Sequence, residues 1–146
     1  MRVMKINRTK TLSALVLIVM IIIGCGTVDP NGLINQELAF EKLAGDWIYG
    51  VNGQITLDGQ DVSLNYPDFS ISFADGTYTT INGGNLFRAT GTWTWVSEVA
   101  GSINLDTGEE VTILDLSVTR FKFSFTHSGG GVVAGTSGNY TVSLEK

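Results

Sequence analysis

Hydrophobic and polar residues alternate along most of the chain after residue 45, and this two-residue period is typical of half-buried β-strands. The alternation is most regular at residues 120–127, where Phe121, Phe123 and Phe125 are separated by polar residues. Such a segment places three aromatic rings on one face and polar groups on the other. We therefore expect a strand whose aromatic face lies in a hydrophobic core.

Seven further segments carry a similar pattern between short turn sequences. These expected strands are residues 47–51, 69–73, 77–81, 88–96, 102–105, 110–116 and 140–144. Asp75-Gly76 is typical of a type I′ hairpin turn. Such short connections join antiparallel neighbours, and a sheet of about eight strands needs its edges hidden. The sequence thus predicts an all-β fold, a roughly eight-stranded antiparallel up-and-down barrel.

One short helix is expected before the strands. Residues 33–44 contain helix-forming residues and no Gly or Pro. Ile34 and Leu38 would lie on one face of this helix, and Phe40 and Leu43 on the neighbouring face.

Large aromatic side chains recur on single faces of the predicted strands. Trp47, Tyr49 and Val51 share one face, and Trp93 and Trp95 share another. These rings can line a cavity for a ligand or fill the core of a small barrel, and Trp93 with Trp95 can instead form an exposed patch. The residues with these alternative roles are Trp47, Tyr49, Phe73, Tyr78, Trp93, Trp95, Phe121, Phe123 and Phe125.

The amino-terminal pattern differs from the rest of the chain. Four Lys or Arg residues precede an apolar run at residues 12–23 that is broken only by Ser13. As a helix this run would span about 18 Å, whereas the hydrocarbon core of a bilayer is about 30 Å thick. The layout therefore predicts a secretory signal rather than a membrane-spanning helix.

Ile22-Ile23-Gly24-Cys25, at the end of this run, resembles the lipobox of bacterial lipoproteins. The resemblance implies that residues 1–24 are removed and that Cys25 becomes a lipidated first residue. Several acyl chains hold a protein firmly to a membrane, so the expected location is the cell envelope. In the enterobacterial sorting pattern, an Asp after the cysteine retains a lipoprotein in the inner membrane. The resemblance, with Gly26 at this position, therefore implies the outer membrane of a Gram-negative bacterium.

The domain organisation follows from this cleavage. We expect a signal peptide at residues 1–24, a lipidated tether at 25–32 and one barrel domain at 33–146. Residues 25–146 keep five Lys or Arg against 14 Asp or Glu, a formal net charge of −9. This charge disfavours nucleic acid and anionic lipid head groups as partners. Cys25 is the only cysteine, so no disulfide forms within the chain.

Several motifs after residue 44 resemble lipocalin-like domains of lipoproteins from Bacteroidetes-type bacteria. They are Gly45-Asp46-Trp47, Phe73-Ala74-Asp75-Gly76-Thr77-Tyr78, Gly91-Thr92-Trp93 and the segment 113–123. The resemblance implies a barrel whose Trp47 closes one end. Lipocalins usually stack an Arg on this Trp, and Arg88 or Arg120 are the candidates here.

Catalytic and metal-binding patterns are weak in this sequence. His127 is the only histidine, and we expect it at a rim or turn. Residues 129–134 match a dinucleotide-loop pattern without the helix that must follow it, and residues 104–110 match a calcium loop poorly. Glycoside hydrolysis needs two facing carboxylates, for which Asp58 with Asp61 and Glu109 with Glu110 are the candidates. We expect no catalytic residue, metal or cofactor.

Three functions remain as hypotheses. The first is a non-catalytic, membrane-anchored lipocalin-like protein that binds a small apolar molecule or an envelope protein. The second is a structural or protein-binding lipoprotein with a solid barrel and no ligand cavity. The third, the least favoured, is a glycan hydrolase with an acid pair.

Overall fold

The computed structural model describes residues 35–129 and 135–146. The predicted signal, the predicted tether and Ile34 of the predicted helix lie outside the described residues, as do 130–134 of the glycine-rich loop. The elements are α1 (Asn35–Leu43), β1 (Gly45–Ile48), β2 (Gln54–Leu57), β3 (Gln60–Asp61), a 3₁₀ turn (Ser63–Asn65), β4 (Ser70–Ala74), β5 (Thr77–Ile81), β6 (Thr90–Trp95), β7 (Ser102–Leu105), β8 (Glu110–Leu116), β9 (Arg120–His127) and β10 (Gly138–Glu145). No helix in this part of the chain is long and apolar enough to cross a membrane.

Eight of these strands close an antiparallel barrel, which confirms the predicted all-β barrel with one short helix. Around the barrel the order is β1, β4, β5, β6, β7, β8, β9 and β10, and β10 pairs with β1 to complete the circle. The closing contact is a single residue pair, Ile48 opposite Glu145. From β4 to β10 each strand pairs with its successor in the chain, so the connections are short.

The remaining two strands form a hairpin that the hydrophobic pattern did not indicate. β2 pairs with β10 beyond the point where β1 leaves it, and β3 folds back along β2. The turn between them is Asp58-Gly59, with φ angles of 49° and 82°. Two positive φ values are what a type I′ turn requires, and Asp-Gly is a preferred sequence for it.

Two details of the sequence prediction were wrong. The first strand ends at Ile48 rather than at Val51, which is fully exposed. The chain turns there, since the Gly53 N–H donates to the Gly50 carbonyl at 2.9 Å. The turn at Asp75-Gly76 does join β4 to β5, but only Gly76 has a positive φ, so the turn is not type I′.

The aromatic face of β9 lies in the core as predicted. Phe121, Phe123 and Phe125 are at most 4 % exposed, and they face the buried side of β10. The inward residues of the other strands complete one hydrophobic cluster that runs through the barrel.

The two ends of the barrel carry different connections. At the helix end lie α1, the β4–β5 turn, the 96–101 loop and the 117–119 turn. At the opposite end, here called the loop end, lie the 82–89 loop, the 106–109 turn and the β2–β3 hairpin.

Candidate functional site

The nine aromatic candidates belong to one packed cluster inside the barrel. Seven of them are buried, and Tyr49 and Trp95 are half-buried against the others. Their rings touch one another at centroid distances such as 5.4 Å between Trp47 and Phe121 and 5.1 Å between Trp93 and Trp95. Trp93 and Trp95 therefore point inward, and the outer side of β6 is formed by Thr90, Thr92 and Thr94.

Side chains also close both ends of the barrel. At the helix end, Leu43 is fully buried and the Phe40 ring lies 6.0 Å from that of Trp93. At the loop end, Leu86 and Phe87 from the 82–89 loop are 2 % and 5 % exposed. The Phe87 ring lies 5.1 Å from that of Phe125. A phenylalanine therefore fills the end of the barrel opposite Trp47.

Trp47 is held at the helix end by a lysine rather than by an arginine. Lys146 Nζ lies 4.4 Å from the Trp47 ring centroid and donates hydrogen bonds to the Lys42 and Ala44 carbonyls. Arg88 and Arg120 instead form ion pairs with Asp106 and Asp115. The expectation that one of these arginines stacks on Trp47 was therefore wrong.

His127 ends β9 at the loop end, and its ring is only 1 % exposed. The Gly135 N–H donates to Nε2 at 3.0 Å. A nitrogen that accepts carries no proton, so the proton is on Nδ1, which donates to Glu109 Oε1 at 3.1 Å. The second carboxylate oxygen, Glu109 Oε2, is buried without a hydrogen-bond partner among the described residues.

A second polar group lies beside this pair. The Tyr78 hydroxyl donates to Asp106 Oδ1 at 3.3 Å, and Arg88 Nη1 donates to Asp106 Oδ2 at 3.1 Å. Burial, followed by the negative charge on Asp106, raises the pKa of Tyr78 to about 12. Tyr78 therefore stays neutral at physiological pH.

The arrangement of His127 resembles a general base only in part. A carboxylate orients Nδ1 as in a catalytic triad, but a backbone N–H occupies the nitrogen that would receive a proton from a nucleophile. The pair therefore fastens the chain at Gly135 to the barrel wall. Within residues 35–129 and 135–146, no group of three or more His, Cys, Asp or Glu side chains is arranged to hold a metal ion.

The two acid pairs predicted from sequence are engaged in separate local contacts. Asp58 Oδ1 accepts the Asn139 N–H at 2.9 Å, and Asp61 Oδ1 accepts the Ser63 N–H at 2.9 Å. Hydrogen bonds from Ser63 lower the pKa of Asp61. Glu109 binds His127, whereas Glu110 accepts the Ser102 hydroxyl on the outer face.

A groove of about 610 Å³ lies on the outer face of β8, β9 and β10 near the loop end. Hydroxyl, amide and carboxylate side chains form its lining, and Phe125 and Tyr140 contribute to its floor while their rings are buried. The outward polar side chains are Glu110, Thr112, Ser124, Thr126, Asn139 and Thr141. No Lys or Arg belongs to this described lining.

Two features of the site escaped the sequence analysis. Glu109 and His127 are 18 residues apart, and the pattern marks both as turn or rim residues. Leu86 and Phe87, which close the loop end, lie between a turn sequence and a predicted strand. Their apolar character was the only sign in the sequence that this loop is buried.

Comparisons of this chain with protein-family models, with curated proteins and with solved structures found no match.

Proposed function

We propose that this chain is a lipid-anchored, non-catalytic protein of the bacterial cell envelope whose solid barrel binds another envelope protein through its outer wall. The filled interior carries this proposal. Aromatic rings occupy the barrel from Trp47 at one end to Phe87 at the other. Of the hypotheses raised by the sequence, this packing favours a solid barrel over a chamber for a small apolar molecule.

The groove on β8, β9 and β10 is the proposed binding surface. Its hydroxyl and amide groups can donate and accept hydrogen bonds, and Glu110 adds a negative charge. An apolar ligand would find no exposed ring in the described lining, and an anionic one would meet a carboxylate. A partner with neutral polar or basic side chains matches these groups best.

The anchor part of the proposal rests on the lipobox that ends at Cys25, and it is tested by metabolic labelling. Cells grown with an alkyne analogue of palmitate should label the protein and retain it in the membrane fraction. Cys25→Ser should abolish both the label and the retention, whereas Thr27→Ser, which keeps the cysteine, should change neither. Label-free protein in the soluble fraction of wild-type cells would refute the anchor.

The solid barrel is tested with a neutral apolar dye, N-phenyl-1-naphthylamine. The folded wild-type protein should leave its fluorescence close to the level in buffer, because the rings leave the dye no interior site. Saturable enhancement at one dye per protein would instead support the small-molecule hypothesis.

The binding surface is tested by cross-linking in intact cells. Thr112→Arg with Thr126→Arg places two bulky cations in the groove, at positions that are exposed. Thr92→Arg with Thr94→Arg places the same residues on the exposed side of β6. A specific cross-linked partner should disappear with the first pair and persist with the second. Equal persistence with both pairs would exclude the groove.

A further inference from the structure

Exposed large hydrophobic side chains are concentrated at the helix end of the barrel. Of the eight in the described part of the chain, five belong to connections or to the helix-end part of a strand there, and Leu64 and Ile81 belong to the loop end. The eighth, Ile48, ends β1 on the wall between the two ends. The five are Val51, Val96, Val99, Leu114 and Val118, with exposed fractions between 42 % and 100 %.

Three connections and the helix-end part of β8 bring these five residues to the same end. Val96 and Val99 lie in the 96–101 loop, whose Gly101 carbonyl accepts the Ile113 N–H next to Leu114. Val118 is in the 117–119 turn. The 49–53 turn reaches the same region, because the Asn52 N–H donates to Glu145 Oε1 and Asn52 shares a surface depression with Thr119.

The start of the domain lies at this end as well. Gln36 Nε2, in the first turn of α1, donates to the Ser97 carbonyl at 3.1 Å. Ten residue steps separate Cys25 from Asn35, a contour of at most about 35 Å. The eight residues of β9 alone extend over about 26 Å. If the loop end faced the membrane, residues 25–35 would have to run nearly fully extended along the barrel to reach the start of α1. If the helix end faces the membrane, α1 begins close to the anchor and no extension is needed.

The cations follow the same distribution. The described residues contain five Lys or Arg and 13 Asp or Glu. Four of the cations belong to the helix end, among seven carboxylates, and they are Lys42, Arg120, Lys122 and Lys146. Arg88 is the one cation of the loop end, among six carboxylates. A bilayer surface that carries anionic lipids repels the more acidic end more strongly.

We propose that the helix end is a membrane-contacting surface, with Val96, Val99, Leu114, Val118 and Val51 resting on the lipid head-group region. The inference rests on the proposed anchor at Cys25. It leaves the loop end and the groove directed away from the bilayer, where a partner can reach them.

The test uses the lipidated mature protein, residues 25–146, in phosphatidylcholine vesicles that contain nitroxide-labelled lipid. Because the thiol of Cys25 is consumed by lipidation, a cysteine introduced elsewhere is the only free thiol. Val99→Cys and Val118→Cys report on the helix end, and Leu64→Cys and Ile81→Cys are matched exposed controls at the loop end. Each variant carries a nitrobenzoxadiazole fluorophore.

The expected result is several-fold stronger quenching at positions 99 and 118 than at 64 and 81. Equal quenching at all four positions, or stronger quenching at the loop end, in protein that floats with the vesicles would overturn the orientation and leave the anchor standing. Protein that carries no lipid and does not float would overturn both.

Discussion

His127 joins two segments of the chain through its two ring nitrogens, one bound to Glu109 and the other to the Gly135 N–H. Both side chains are largely buried, with 1 % and 12 % of their surface exposed. Removing either partner leaves a buried polar group unpaired, and such a group is costly away from water.

We therefore expect Glu109→Ala and His127→Ala each to lower the free energy of unfolding by about 2–3 kcal/mol. The decrease in the free energy of unfolding of the double variant should be smaller than the sum of the two single decreases by at least about 1 kcal/mol. Both single changes remove the same hydrogen bond, so its loss is counted twice in that sum. Urea unfolding measures all three. Lys122→Ala, which changes an exposed residue on the same strand, should stay within about 0.5 kcal/mol of wild type. Strict additivity would contradict the pairing.

Two tyrosines should make the fold sensitive to alkali. Burial raises the pKa of Tyr78 to about 12, and burial with a hydrogen bond to Tyr140 raises the pKa of Tyr66 as well. A tyrosine in the unfolded chain releases its proton near pH 10. The unfolded state thus loses protons that the folded state keeps, so the stability is fully present below pH 10 and declines as pH rises toward 12.

Urea unfolding between pH 9 and pH 12 checks this dependence. Tyr78→Phe should flatten the decline relative to wild type, because that position no longer ionises in the unfolded chain. Absorbance of tyrosinate at high pH gives an independent reading. An unchanged slope in the variant would show that Tyr78 ionises alike in both states.

At the scale of the strands, Gly91 in β6 packs directly against the Tyr78 ring and Asp106, with no room for a side chain. A Cβ atom built on Gly91 would overlap the Tyr78 ring and approach Asp106 Oδ1. The glycine in β6 thus leaves the space in which the Tyr78 hydroxyl reaches Asp106. By contrast, nothing lies within 4 Å of a Cβ at Gly101.

Gly91→Ala should accordingly destabilise the protein by about 2–3 kcal/mol, since the Tyr78 ring or the strand must move. Gly101→Ala should leave the free energy of unfolding unchanged or raise it by up to about 1 kcal/mol, because alanine reduces the conformational entropy of the unfolded chain. Thermal unfolding of the two variants side by side provides the comparison. A Gly91→Ala protein as stable as wild type would mean that the site has room for a methyl group.

The strands that alternate regularly were predictable, and the irregular elements were not. β9 was predicted with its observed bounds because Phe121, Phe123 and Phe125 alternate with polar residues. The β2–β3 hairpin has only four and two residues in its strands, so no period could stand out. Its Asp58-Gly59 turn was the remaining signal.

Contacts between distant residues lay beyond the reach of pattern analysis. Lys146 and Trp47 are 99 positions apart, and a cation placed over a ring leaves no periodic trace. The same holds for the inward direction of Trp93 and Trp95, because threonine on the opposite face fits either environment. Only the closure of the sheet decides which side of a strand is inside.

For the molecule as a whole, Phe87 decides whether the barrel is solid. Its ring lies against Phe69, Phe123 and Phe125. Phe87→Ala should destabilise the protein by about 3–5 kcal/mol and leave an apolar cavity at the loop end. N-phenyl-1-naphthylamine fluorescence should then increase with the folded variant. The control Phe87→Leu, which keeps a large apolar side chain, should cost less and bind less dye. Absence of dye binding by a folded Phe87→Ala protein would mean that the loop collapses into the space.

β10 is the element that completes the circle, since it pairs with β9 along its whole length and with both β2 and β1 on its other edge. During synthesis from the amino terminus, the sheet therefore remains open between β9 and β1 until residues 138–145 have been made. The tertiary structure of the described barrel is therefore completed only when this strand pairs along both of its edges.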